Sequence, residues 1–200
     1  MRIALGLKGL RYEPRFVHLL EGEQHLPQYR KLNPQALVPT LMEEGSALTQ
    51  SLAIIEYLEE AYPEPPLLPT DLKDRAYVRA LALSIACDIH PLNNLRVLHY
   101  LKEVLGQDEA VRLAWIRHWL EEGLRAFEEH LTSHRASGRF CLGDTPTLAD
   151  ICLVPQVFNA RRFGCDLTAF PKIQAIDEYC LGLPAFQEAA PDHQPDAFEA

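Results

Sequence analysis

The sequence predicts an α+β protein of two unequal parts, a short N-terminal part that holds the strand signals and a longer part that is all helix. Three observations carry this. Alternating apolar residues and a glycine-containing turn fall before residue 50. Four prolines lie in the seven residues from Pro63 to Pro69, a stiff stretch that continues neither a helix nor a central strand. Beyond them the apolar residues recur at helical spacing. The expected domains are residues 1–62, a linker at 63–70 and an all-helical domain at 71–200.

In chain order, residues 2–8 are helical in character, with Ile3, Leu5 and Leu7 starting at once and nothing ahead of Arg2 to cap them. Tyr12 to Leu19 alternates and reads as a strand. His25 to Leu32 is a short, irregular helix stopped by Asn33-Pro34. Val38–Met42 and Ala47–Thr49 flank Glu43-Glu44-Gly45-Ser46, which makes a hairpin. A helix runs from Ser51 to about Ala61. After the prolines, Asp71 to about Val104 reads as one long helix, bent at Pro91. Further helices cover Asp108 to about His134, Thr147 to about Phe158 with Arg161-Arg162 closing it, Pro171 to Leu181, and a short piece at Pro184–Ala189. Thr147-Leu148-Ala149-Asp150 has the form of a capping box with Asp in the reciprocal role, and its expected task is folding.

Composition narrows the function. Apolar content of 48% with 24% charged residues is ordinary for a globular protein. Nineteen cationic against 28 acidic residues leave a net charge of −9, which argues against nucleic acid or an anionic membrane as partner. No apolar run approaches the ~20 residues of a membrane-spanning helix, and Met1–Lys8 is too short for a signal peptide. Five scattered cysteines without a C-x-x-C read as reduced thiols in the cytoplasm, most of them buried bystanders.

The chemistry concentrates at Val38-Pro39 and Gln50-Ser51. The X-Pro peptide ends an apolar run whose main chain is free to meet a peptide-like ligand. Ser51 opens a helix, whose unpaired N–H groups and positive dipole end suit a carboxylate. Together they form half of a site for a small acidic peptide. Ser51 placed at the N-cap also serves simply to cap its helix. His90 and Asn94 stand four apart and share a face if one helix runs through them, which suits a ligand or a polar helix contact. Arg96 projects elsewhere. Arg161-Arg162 serves either the helix C-terminus or a substrate carboxylate held in bidentate fashion. His130 and His134 have metal spacing but lack the acidic or Cys ligands that complete a site, so no metal is expected. Trp115 and Trp119 read as packing.

Val38-Pro39, Gln50-Ser51-Leu52-Ala53-Ile54-Ile55-Glu56-Tyr57-Leu58 and Gly143-Asp144-Thr145-Pro146-Thr147-Leu148-Ala149-Asp150, in this order, resemble the glutathione transferase superfamily. The match is nearest the zeta class, the maleylacetoacetate and maleylpyruvate isomerases. It rests on Arg2-Ile3-Ala4-Leu5-Gly6-Leu7-Lys8-Gly9, Leu32-Asn33-Pro34-Gln35, Asp88-Ile89-His90-Pro91-Leu92-Asn93-Asn94-Leu95-Arg96, Leu153-Val154-Pro155-Gln156 and Ala160-Arg161-Arg162-Phe163. The resemblance implies a thioredoxin-like N-terminal domain binding glutathione, an all-α C-terminal domain, and a homodimer. It implies glutathione as cofactor, held by Val38, Pro39, Gln50, Ser51, His90 and Asn94, with the Val38-Pro39 peptide cis. It implies a small diacid substrate whose carboxylates meet Arg2, Arg96 and Arg162, and catalytic roles for His90 and Arg96. The implied reaction is cis–trans isomerisation of a maleyl keto-acid in aromatic-compound or tyrosine catabolism. A general glutathione transferase and a catalytically impaired binding protein are the alternatives. The family pattern opens with a strand and a serine-rich turn that activates the thiol, about fifteen residues that by analogy would precede Met1. On that expectation the N-terminal domain is shortened, thiol activation is unassigned, and the 200 residues as written have weak or no isomerase activity.

Overall fold

A computed structural model describes residues 1–134, 136–195 and 197. The chain divides into two compact units, one of residues 1–66 joined by the segment from Pro184 onward, the other of residues 67–183.

The first unit opens with helix α1 (Arg2–Leu7), which buries Ile3, Ala4 and Leu5. A short helix α2 (Pro27–Arg30) follows a single 3-10 turn at Glu23–His25. Strands β1 (Thr40–Glu43) and β2 (Ser46–Thr49) pair antiparallel, Thr40 opposite Thr49 and Glu43 opposite Ser46. The two-residue turn between them holds Glu44 at φ 48° and Gly45 at φ 83°, the left-handed pair that matches hairpin twist. Helix α3 (Ser51–Ala61) lays Ile54 and Leu58 against Leu5 of α1, with Leu41 and Leu48 of the hairpin closing the cluster. Helix α9 (Pro184–Ala189) packs on α1. The approach is close, since a Cβ on Gly6 would lie 3.1 Å from the Ala185 side chain.

Lys8 follows α1 and is buried. Its ammonium donates to the carbonyls of Tyr62 (2.6 Å) and Pro65 (3.0 Å) and pairs with Glu59 Oε2 at 2.8 Å. All three ammonium protons are thereby used.

The second unit is helical. Helix α4 (Leu72–Leu83) starts at Asp71, whose carboxylate accepts from the N–H groups of Lys73 and Asp74. A wide π-type turn (Ser84–Ile89) and a 3-10 turn (His90–Asn93) follow. Then come α5 (Leu95–His99) and a second wide turn (Tyr100–Val104). Helix α6 (Glu109–Ser133) is capped by Asp108 and buries Ile116, Leu120, Leu124, Phe127 and Leu131 along one stripe. Helix α7 (Leu148–Arg162) is apolar nearly all round and runs through the middle of the unit, burying Leu148, Ile151, Leu153, Val154 and Val157 among others. Helix α8 (Pro171–Leu181) begins on Glu128 of α6, whose carboxylate accepts from the N–H groups of Lys172 and Ile173.

The capping box is present. Asp150, fully buried, accepts from the N–H (2.7 Å) and hydroxyl (2.7 Å) of Thr147 through Oδ2, and from the N–H of Cys141 (2.8 Å) through Oδ1. Burial pushes its pKa up and these bonds pull it back.

Three expectations need correction. Tyr12–Leu19 is not a strand. The sheet has two strands, β1 and β2, and no described strand lies beside this segment to complete its ladder. The long helix from Asp71 does not run through to Val104, because Asn94 is extended (φ −69°, ψ 147°) and caps α5 instead. The last residues from Pro184 pack with the N-terminal unit rather than the helical one, because α9 docks on α1. The proline-rich stretch is also less of a free linker than its composition implies. Leu67 and Leu68 are buried, and the N–H of Leu148 donates to the Leu67 carbonyl.

Candidate glutathione site and a basic cleft

The hairpin register brings the two halves of the first-unit site together. With Thr40 opposite Thr49, Pro39 and Gln50 stand at the same open end of the ladder. The Val38-Pro39 peptide is cis. The run into it is pinned at Leu37, whose carbonyl accepts from the Tyr29 hydroxyl (2.7 Å) and from Asn33 Nδ2 (2.7 Å). Asn33 is buried and its own Oδ1 accepts from the N–H of Gln35. Val38 follows these anchors and is exposed.

Gln50, not Ser51, occupies the N-cap of α3, and Ser51 is the first helical residue. The reason is the backbone at Gln50, where φ 69° and ψ 115° turn the chain out of β2 directly into the helix. Such a torsion is costly for a residue with a Cβ, about 1–3 kcal/mol, and such outliers concentrate at functional sites. Gln50 makes no side-chain cap bond; its amide instead donates to Gln35 Oε1 at 2.8 Å. The first intrahelical bond runs from Ile54 N–H to the Gln50 carbonyl. The N–H groups of Ser51, Leu52 and Ala53 therefore open outward with the Ser51 hydroxyl beside them, a cradle for a carboxylate. Arg2 lies in the same unit, its guanidinium 6.0 Å from the Phe16 ring centre.

The other residues singled out in the sequence lie in the helical unit, where the break at Asn94 changes their relation. His90 and Asn94 do not share the face of one helix. Asn94 accepts from the N–H of Arg96 at 3.2 Å and caps α5, which leaves Arg96 exposed on the first turn. His90 is exposed by surface area, yet the protein around it desolvates the ring and lowers its pKa from the ordinary value. In its neutral form the imidazole can donate one hydrogen bond and accept another.

Arg162 lines a cleft of about 460 Å³ within the helical unit, with Arg112 and Arg117 of α6 and Arg161 beside it. Arg96 is not part of that lining. Burial raises the thiol pKa of Cys141, Cys152, Cys165 and Cys180, that of Cys152 to about 12, so these four offer no thiolate at neutral pH. The ring of His134 stacks on Tyr77 at 3.8 Å. Trp115 donates to the Leu92 carbonyl and meets Trp119 edge-on. Among the described residues no cluster of His, Cys, Asp or Glu could hold a metal ion, and no helix is long and apolar enough to cross a membrane.

Asn33, Tyr29 and Gln35 were not singled out as site residues by sequence, although Asn33 and Gln35 fall in the matched Leu32-Asn33-Pro34-Gln35. Asn33-Pro34 signals a helix stop, but nothing local shows that Asn33 turns back onto Leu37. Arg112 and Arg117 stand five residues apart on an ordinary amphipathic helix, and only the packing of α6 beside the end of α7 brings them to Arg161 and Arg162.

A small N-terminal unit with a two-stranded hairpin and a cis-proline, followed by a helical unit, has the domain order of a glutathione transferase. Residues 1–66 match the model of the glutathione S-transferase N-terminal domain and residues 109–191 that of the C-terminal domain. The chain belongs to the glutathione S-transferase family, in its zeta class. It is 49% identical to a probable maleylacetoacetate isomerase of Vibrio cholerae, over 98% of this chain and 92% of that protein. Among solved structures it is similar to a holo maleylpyruvate isomerase, a bacterial zeta-class enzyme, with TM-score 0.97 and 52% identity over 98% of this chain and 93% of the other. It is also similar to a maleylacetoacetate isomerase of Methylobacterium extorquens AM1 bound to malonate and glutathione, with TM-score 0.96 and 42% identity over 98% and 92%.

Proposed function

We propose that this protein is a glutathione-dependent isomerase that converts a maleyl keto-acid, maleylpyruvate or maleylacetoacetate, to its fumaryl isomer. The observation that carries the reading is similarity along nearly the whole chain to isomerases of both names, on a unit that keeps the cis Val38-Pro39 peptide and the open start of α3. Glutathione is the cofactor. Its γ-glutamyl carboxylate sits on the N–H groups at Ser51, with Gln50 beside it, and its cysteinyl main chain pairs with Val38. The thiolate adds to the conjugated double bond of the substrate. Rotation about the resulting single bond and expulsion of the thiolate give the trans product and regenerate glutathione. His90 and Arg96 stabilise the enolate formed on addition, His90 as a neutral donor. Asn94 assists glutathione through the α5 turn, and Arg2, Arg96 and Arg162 meet the substrate's carboxylates. The protein works as a cytoplasmic homodimer in aromatic-compound catabolism, and its free cysteines support the cytoplasmic part of that reading.

The assay is glutathione-dependent loss of maleyl-substrate absorbance by the natural gene product, with both substrates run in parallel. Turnover of one or both is expected. Turnover of aryl halides or halogenated acids but of neither maleyl substrate would replace the isomerase with a general transferase. Light scattering at twice the chain mass checks the dimer.

Ser51→Ala separates ligand binding from helix capping. A hydroxyl bonded to a carboxylate contributes about 1.5–3 kcal/mol, so glutathione affinity measured by calorimetry is expected to fall roughly tenfold to a hundredfold. Because Ser51 is not the N-cap, stability should move by only ~0.5 kcal/mol. An unchanged affinity would remove Ser51 from the site.

A further inference from the structure

We propose that Trp115 is a positioning residue: from α6 its indole N–H holds the turn that carries His90 and Asn94. The inference rests on the roles given to His90 and Asn94 above and adds the group that fixes them in place.

The turn is poorly held by its own bonds. A wide π-type turn (Ser84–Ile89) leads into it, a form frequent at functional sites. Within His90–Asn93, Pro91 has no N–H to donate. The bond that closes the turn, from the Asn94 N–H to the Pro91 carbonyl, is long at 3.4 Å. Both polar ends of the Asn93 side chain are buried without a hydrogen-bond partner among the described residues. The short bond comes from outside the turn. The Trp115 indole donates to the Leu92 carbonyl at 2.8 Å, and Leu92 stands midway between His90 and Asn94 in the chain.

A second contact sets how closely the turn approaches α6. Gly123 follows Trp115 by eight residues and lies on the same side of the helix. A Cβ on Gly123 would overlap the side chain of Ile89, the buried neighbour of His90, so glycine lets Ile89 seat against the helix. Trp119 stands between the two, 5.7 Å from Trp115 and edge-on, with its own indole N–H buried and without a partner. Packing alone would be served by phenylalanine at position 115. The N–H adds a directed bond to the main chain of the turn, and that bond fixes where His90 and Asn94 start.

The experiment is a double-mutant cycle on glutathione-dependent turnover by the natural gene product. Trp115→Phe keeps a ring and removes the N–H, and kcat/KM is expected to fall roughly fivefold to tenfold. His90→Ala removes the group being positioned, and in that background Trp115→Phe should cost less than about twofold. Gly123→Ala tests the second contact. It should lower turnover as well, and Ile89→Ala in the same chain, which clears the overlap, should restore most of it. Trp115 and Trp119 are the two tryptophans of the chain, so each gives one indole N–H signal in a nitrogen-15 correlation spectrum. Trp115→Phe assigns the first, and saturating glutathione should move it. Full activity of Trp115→Phe, an equal loss with and without His90, or a Trp115 signal unmoved by bound glutathione overturns the proposal. If the parent protein turns over neither maleyl substrate, the isomerase reading fails by itself. The same cycle is then read on glutathione affinity by calorimetry, where the same coupling is expected, so the two failures are distinguishable.

Discussion

Lys8→Met is expected to destabilise the N-terminal unit by about 3–5 kcal/mol, the cost of removing one partner from a buried ion pair. The side chain of Lys8 has no exposed surface, and Glu59, its partner at 2.8 Å, is itself buried. The substitution strips Glu59 of its ammonium. It also removes the donor from the carbonyls of Tyr62 and Pro65, which it fixes as the chain leaves α3. Urea unfolding gives the magnitude. The companion measurement is the double variant Lys8→Met with Glu59→Leu, which removes both charges and should recover a large part of the loss, because an apolar pair of similar volume often replaces a buried ion pair at little net cost. If the double variant is no more stable than Lys8→Met, the loss comes from packing and not from a stranded charge.

Asp150→Ala should cost the helical unit a similar amount, about 3–5 kcal/mol, for a different reason. Its carboxylate collects three donors in the interior, two from Thr147 and one from Cys141. Alanine leaves all of them unpaired, at about 1–3 kcal/mol for each buried group that finds no substitute. The melting temperature should fall by on the order of 10 °C. Hydrogen exchange localises the effect, since the amides of Cys141 and Thr147 should lose protection before those in the middle of α6. A loss below about 1 kcal/mol would show that water or a shifted loop replaces the carboxylate.

These two side chains show what the sequence makes visible and what it hides. Asp150 was legible, because a capping box is a local pattern with fixed spacing and the structure reproduces it. The hairpin, α3, α6, α8 and α9 were legible for the same reason: turn residues, caps and prolines act within a few positions of themselves. Lys8 was not, since its partners lie more than fifty residues away and nothing local marks a lysine as buried. Tyr12–Leu19 misled because alternation reports a residue pattern while a strand also requires a neighbour to bond to. The Asn94 break was hidden by Pro91, which drew the expected bend three residues too early; Asn as an N-cap was the available signal. In the N-terminal unit the sequence put Ser51 at the cap of α3 because serine prefers that position, whereas Gln50 holds it. The left-handed torsion at Gln50 is a tertiary demand, imposed where β2 must pass at once into α3.

The docking of α9 on α1 bears on how the protein is made. A ribosome releases residues 67–183 before it releases Pro184, so the helical unit can complete its core while the first unit still lacks one of its own helices. The N-terminal unit, though encoded first, is therefore finished last. During synthesis the α1 surface around Gly6 waits uncovered for a partner nearly the whole chain away, and a nascent chain stalled short of that point holds a folded helical unit and an unfinished N-terminal unit.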